Sequence, residues 1–129
     1  MAGKDPSDGA SAFLAAFLAR DFDAVRATLA PDVEFRFVTP NKVKDLVGPD
    51  EVLNHLKLWF GSGERRAVQS GVEATPPGRS RVWYNLEVRP QPVTKDPRWH
   101  RIEQQVYVSA GPGPIKSLGL LCTGFMPVA

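Results

Sequence analysis

A histidine, a glutamine and a tyrosine are the side chains of this sequence best suited to handling a proton or an oxygen atom. His100 and Gln104 lie in WHRIEQQVYVS, Trp99 to Ser109, whose alternation sets His100, Ile102, Gln104, Val106 and Val108 on one face of a strand. An unperturbed imidazole titrates close to neutral pH, which suits His100 to general base work. Gln104, four residues on along the same face, can hydrogen-bond a carbonyl or hydroxyl oxygen. Tyr84, in the alternating run Arg81 to Arg89, can donate a hydrogen bond or a proton. Each has a plainer reading. His100 follows a long proline-rich connection, where it would be solvated at a sheet rim. Gln104 would satisfy a buried backbone group.

The other titratable groups fit chemistry less well. Glu87 and Glu103 fall on the faces opposite the aliphatic sets, which points them to solvent or an interface. One extra residue in the Trp99 strand would swap those faces and turn Glu103 inward as an acid or base. His55 is read as a surface residue of a helix, away from its apolar stripe. Cys122 is read as a small buried apolar residue, because a thiol nucleophile would need a partnering base. The two histidines have no paired spacing with Asp or Cys, so no metal site is expected. Phosphate-loop, dinucleotide and nucleophile-elbow patterns are absent, and no cofactor is expected.

Composition sets the frame for these groups. The chain has 129 residues, 43% hydrophobic and 23% charged, which suits one globular domain over residues 1–129 with its own core. A formal charge of +2, with no basic block interleaved with aromatics, argues against a nucleic-acid surface. A single cysteine excludes an intrachain disulfide. The polar start and the lack of an apolar run of membrane-spanning length lead to an expectation of a cytoplasmic protein with no membrane partner.

Residues 1–4 read as a loose tail. Asp5-Pro6-Ser7-Asp8 then starts a helix, with a capping carboxylate, a first-turn proline and an acid. Phe13, Leu14, Phe17 and Leu18 form its stripe, and Arg20-Asp21 breaks it. Asp21 caps a second helix with Phe22, Val25 and Leu29 buried, ended by Pro31. Val33 to Val38 reads as a strand with Val33, Phe35 and Phe37 on one face. Lys42 to Val47 reads as its return. Gly48-Pro49 opens a third helix with Val52, Leu53, Leu56, Trp59 and Phe60 inward. Strands follow at Ala67 to Thr75, Arg81 to Arg89, Trp99 to Ser109 and Ile115 to Thr123, with a turn at Gly111-Pro112-Gly113-Pro114. That order implies an α+β fold, three helices packed against a strongly curved antiparallel sheet.

The run ARDFDAV at Ala19 to Val25, LAPDVEF at Leu29 to Phe35, the Gly-bounded helix from Gly48 and the hairpin VYVSAGPGPI resemble, in order and spacing, the SnoaL-like and nuclear transport factor 2-like superfamily. The resemblance covers about Ser11 to Phe125. It implies a cone-shaped α+β barrel with an internal pocket and, commonly, a homodimer formed through the outer sheet face, here Trp83, Asn85, Gln105 and Tyr107.

Ketosteroid isomerases of this superfamily use an Asp base with a Tyr and a protonated Asp around the developing oxyanion; they are a worked case of pKa tuning. The resemblance puts the tyrosine position at Phe13, the base at Phe37 and the oxyanion aspartate near Gln104 or Gln105. Phenylalanine neither takes a proton nor donates a hydrogen bond. The last strand also lacks the acid of the SnoaL-like cyclases. Implied instead is an apolar cavity lined by Phe13, Phe17, Phe35, Phe37, Trp59, Val82, Leu86, Val106, Leu118, Leu120 and Cys122. Such a cavity suits a small apolar molecule. Three readings follow. One is a cofactor-independent isomerase, cyclase or dehydratase with His100 moving the proton while Gln104 and Tyr84 orient an oxygen. Another is a non-catalytic carrier. The third is a protein-interaction domain.

Overall fold

The computed structural model describes residues 8–75, 77–109 and 113–128. The expected tail, the capping group Asp5-Pro6-Ser7 and the Gly111-Pro112 turn lie outside them.

Helix α1 spans Asp8–Leu18 and buries Phe13, Leu14 and Phe17. It ends in a Schellman motif: Asp21 N donates to Ala16 O, Arg20 N donates to Phe17 O, and Arg20 turns left-handed at φ 55°. The Arg65 guanidinium reaches across from the sheet and donates to the Phe17 and Leu18 carbonyls. Asp21 then caps α2, Phe22–Ala27, accepting from Ala24 N at 3.1 Å.

That second helix is shorter than expected. It stops at Ala27, and Leu29 is already the first residue of β1, Leu29–Thr39. Leu29 is opposite Ile115, and Ile115 N donates to Thr28 O, so pairing with the far end of the chain overrides helix propagation. Pro31 therefore sits in a strand rather than ending a helix. It falls in the interval between Leu29 and Glu34 where β1 slips register against its neighbour, so its missing N–H costs no ladder bond.

Strand β2, Lys42–Val47, returns antiparallel to β1, and Gly48 at φ 101° turns the chain into α3, Pro49–Phe60. The expected inner set of α3 is buried in full: Val52, Leu53, Leu56, Trp59 and Phe60. Strands β3 (Glu64–Thr75), β4 (Arg79–Arg89), β5 (His100–Ser109), β6 (Ile115–Cys122) and the short β7 (Met126–Pro127) complete the chain.

The seven strands make one sheet in the order β2-β1-β6-β5-β4-β3, with β7 pairing β5. The class is α+β, as expected, but the sheet is mixed rather than antiparallel. β1 and β6 run parallel, because β1 enters from the helical half and the last long strand returns beside it. β4 and β5 alternate buried and half-exposed residue by residue along a continuous register, so one face packs on the helices and the other looks outward. β3 carries the register shift of this half of the sheet, at Val68 between Ala67 and Gln69.

Candidate ligand site

The inward face of β4 and β5 brings two of the three chemistry-bearing residues together. Tyr84 and Gln104 are directly opposed across the ladder, and both are almost wholly buried, at 0% and 1% exposure. The Tyr84 hydroxyl donates to Gln104 Oε1 at 2.5 Å. The Tyr84 ring lies 4.5 Å from that of Phe17 and 6.2 Å from that of Phe60. Burial, with a smaller push from Cys122, drives the Tyr84 phenol well above its ordinary value. The upward shift favours the protonated phenol, which serves here as the hydrogen-bond donor to Gln104.

The other half of the amide is left over. Gln104 Nε2 is buried and has no hydrogen-bond partner among the described residues. A buried donor without an acceptor costs about 1–3 kcal/mol. The result is a donor held in an apolar interior, its orientation fixed by a tyrosine.

His100 lies elsewhere. It opens β5, opposite Val88 and Pro127, and is 4% exposed, so it is not the solvated rim histidine of the plainer reading. Four residues of strand put it about 13 Å from Gln104 at ~3.3 Å per residue, with buried Ile102 between them. Both ring nitrogens face the preceding connection. Nδ1 donates to Arg98 O at 2.9 Å, and Nε2 is 3.9 Å from Asp96 Oδ2. Arg98 donates to Asp96 through its guanidinium and its backbone N–H, and these bonds hold the Asp96 carboxyl well below the usual carboxylate range.

The phenylalanines expected to line a cavity converge as one core. Phe13, Phe17, Phe35, Phe37, Trp59, Val82, Leu86, Val106, Leu118 and Leu120 are all buried in a single cluster. Ring centroids lie 5.5 Å apart for Phe35 and Phe37, and 5.4 Å for Phe37 and Trp59. Cys122 departs from expectation. It is half-buried at the end of β6, opposite Gln104.

His55 is also misread by the stripe alone. Its ring packs 4.8 Å from Phe37 and 5.6 Å from Trp59, while Nδ1 donates to Glu51 O at 2.8 Å. Its spacing to Val52 and Trp59 is the i, i+3, i+7 of the buried face, and that was the available signal. Glu103 stays on the outer face in an unbroken register and pairs with Arg101 at 3.2 Å. Glu87 faces outward too, paired with Arg66. Trp83, Asn85, Gln105 and Tyr107 share that outer face, each half-exposed. No cluster of three or more His, Cys, Asp or Glu side chains that could hold a metal ion occurs among the described residues. No helix among them is long and apolar enough to cross a membrane.

No protein-family model and no curated protein matches the sequence. Solved structures do match. A candidate polyketide cyclase from Silicibacter sp. TM1040 superposes with a TM-score of 0.71 at 16% identity, over 95% of this chain and 92% of the other. A nuclear transport factor 2-like protein of unknown function from Cytophaga hutchinsonii gives 0.61 at 15% identity, over 96% and 92%. A candidate ketosteroid isomerase from Kribbella flavida gives 0.60 at 15% identity, over 94% and 80%. At these identities the likeness establishes architecture: the chain has the nuclear transport factor 2-like fold.

Proposed function

We propose that the chain binds a small molecule with an apolar skeleton and one accepting oxygen, held between the helices and the inner sheet face. The observation that carries this reading is the unpartnered, buried Gln104 Nε2 beside Tyr84. A carbonyl or hydroxyl oxygen on the ligand relieves that orphan donor, and the surrounding aromatic rings supply apolar contact. The kinship of fold with candidate cyclases and isomerases supports the same type of ligand.

The test is calorimetry and crystal soaks with cyclic ketones running from monoterpene to steroid size. Expected is a ligand oxygen within hydrogen-bonding reach of Gln104 Nε2, and an affinity at least about tenfold weaker in Gln104→Leu. Equal affinity in wild type and Gln104→Leu overturns the reading.

A second reading adds catalysis, an isomerisation, cyclisation or dehydration in which His100 moves the proton. Its support is the buried imidazole, whose Nε2 lies 3.9 Å from the Asp96 carboxylate. Its weakness is the separation from Gln104, so a substrate must span both groups. Turnover of any bound ketone that survives His100→Gln unchanged removes this reading and leaves the binding function standing.

A further inference from the structure

Two arginines meet in the seam between the end of α1 and the connection from α3 into β3. Arg20 donates from Nη2 to Ser62 O at 3.4 Å, and this bond is exposed. Arg65 reaches the other way, from β3 to the Phe17 and Leu18 carbonyls. Seven of the ten arginines in the chain form an ion pair with a carboxylate. Arg20 and Arg65 have no such partner among the described residues, and the third exception, Arg79, is fully on the surface.

The seam carries surplus positive charge. Against the two guanidiniums, the end of α1 supplies only about −0.5 of an elementary charge. Asp21, next along the chain, gives its carboxylate to the Ala24 N–H of α2, and Glu64 is paired with Arg89. Burial, and then the Arg20 charge, lower the Arg65 guanidinium from its ordinary value, so each cation feels the other. Arg20 Nε is buried with no hydrogen-bond partner among the described residues. Arg20 also stands at φ 55°, the left-handed position ending α1, where glycine is the favoured residue. The backbone therefore gives no reason for an arginine here; the guanidinium is what sets it apart from a glycine.

We propose that the Arg20–Arg65 seam binds a tetrahedral dianion, the phosphate of a phosphate monoester. An oxyanion at the exposed edge of Arg20 relieves the repulsion between the two cations, and its oxygens accept guanidinium N–H groups that no carboxylate holds. A surplus of about +1.5 is met more closely by a dianion than by a single carboxylate. Arg65 is opposite the buried Val88, so the site belongs to the helical side of the sheet and leaves the outer face aside. The inference is independent of the interior site.

The test is proton–nitrogen NMR of the full chain titrated with inorganic phosphate, with acetate at matched ionic strength as the control. The Arg65 Nε–H and the backbone amides of Ser62 and Gly63 report. Expected is a saturable shift at millimolar phosphate, with affinity at least about tenfold weaker in Arg20→Gly and little response to acetate. Glycine suits φ 55°, so Arg20→Gly keeps the fold; Arg20→Gln removes the charge alone and repeats the comparison if glycine loosens α1. Methyl phosphate and phosphatidic acid vesicles, titrated in the same way, tell a free phosphate ester from a lipid headgroup. Three results overturn the inference. They are no saturable shift, an affinity equal in wild type and both Arg20 variants, or an acetate response matching that of phosphate, which marks screening of surface charge by any anion.

Discussion

Tyr84 and Gln104 face each other across β4 and β5 and share one hydrogen bond, which uses the glutamine's oxygen and strands its nitrogen. Cross-strand pairing supplies the proximity, and burial supplies the consequence. In water the leftover N–H groups would find an acceptor at no cost. In this core they have none, so the pair is under-satisfied in a definite direction: it lacks an acceptor.

That asymmetry predicts an order of stabilities. Tyr84→Phe leaves both ends of the amide unpaired and should destabilise by about 1–3 kcal/mol. Gln104→Leu also loses the shared bond but removes the orphan donor, and should cost less. The double variant Tyr84→Phe/Gln104→Leu should come close to wild type. Urea unfolding of the four proteins measures this, and a Gln104→Leu cost larger than that of Tyr84→Phe contradicts it.

Phe17 is fully buried against Tyr84 and Phe60. Phe17→Ala should cost about 3–5 kcal/mol and leave a cavity beside the Tyr84–Gln104 pair. A small apolar ketone should then raise the melting temperature of this variant more than that of wild type. Equal shifts in the two proteins would mean that the vacated space does not adjoin a usable donor.

The Asp96–Arg98 pair makes a pH prediction. The folded pKa of Asp96 is depressed, so the unfolded chain binds the proton more readily. Its stabilising contribution is present above the unfolded value near 3.9 and is lost as pH falls below it toward the folded pKa. Asp96→Asn should therefore be less stable than wild type at neutral pH, and the difference should shrink on acidification below about pH 4. Thermal melts of both proteins across that range decide it; a gap that widens toward acid contradicts it.

Arg65 donates to the last carbonyls of α1 from strand β3. Arg65→Ala should cost about 1–3 kcal/mol, since it unpairs helix-end carbonyls that Arg65 reaches with a charged donor. Hydrogen exchange should show that loss as faster opening of the α1 C-terminus relative to α3. Uniform loss of protection across the chain would assign Arg65 to global stability instead.

Local patterns in the sequence located most elements. The Phe13-Leu14-Phe17 stripe, the Asp21 cap, the α3 stripe and the alternation through Tyr84 and Gln104 each depend on residues within one or two turns, and periodicity records such relations directly. His55 was legible in principle from its spacing to Trp59. The absence of acid and base at Phe13 and Phe37 was equally plain, since side-chain chemistry needs no coordinates.

Other features were set by partners far along the chain. Leu29 leaves the helix because Ile115 arrives beside it, and the same encounter makes β1 and β6 parallel. Whether Glu103 faced in or out rested on where the sheet slips register, and the slips lie at Val68 in β3 and in β1, not in β5. Alternation placed His100 and Gln104 on one face, but only the tertiary structure turned the imidazole toward Arg98 and Asp96 and closed the tyrosine onto the amide. A strand's period fixes which face a side chain occupies; its hydrogen-bond partner depends on the loop or strand that packs there, and that choice is made by the fold as a whole.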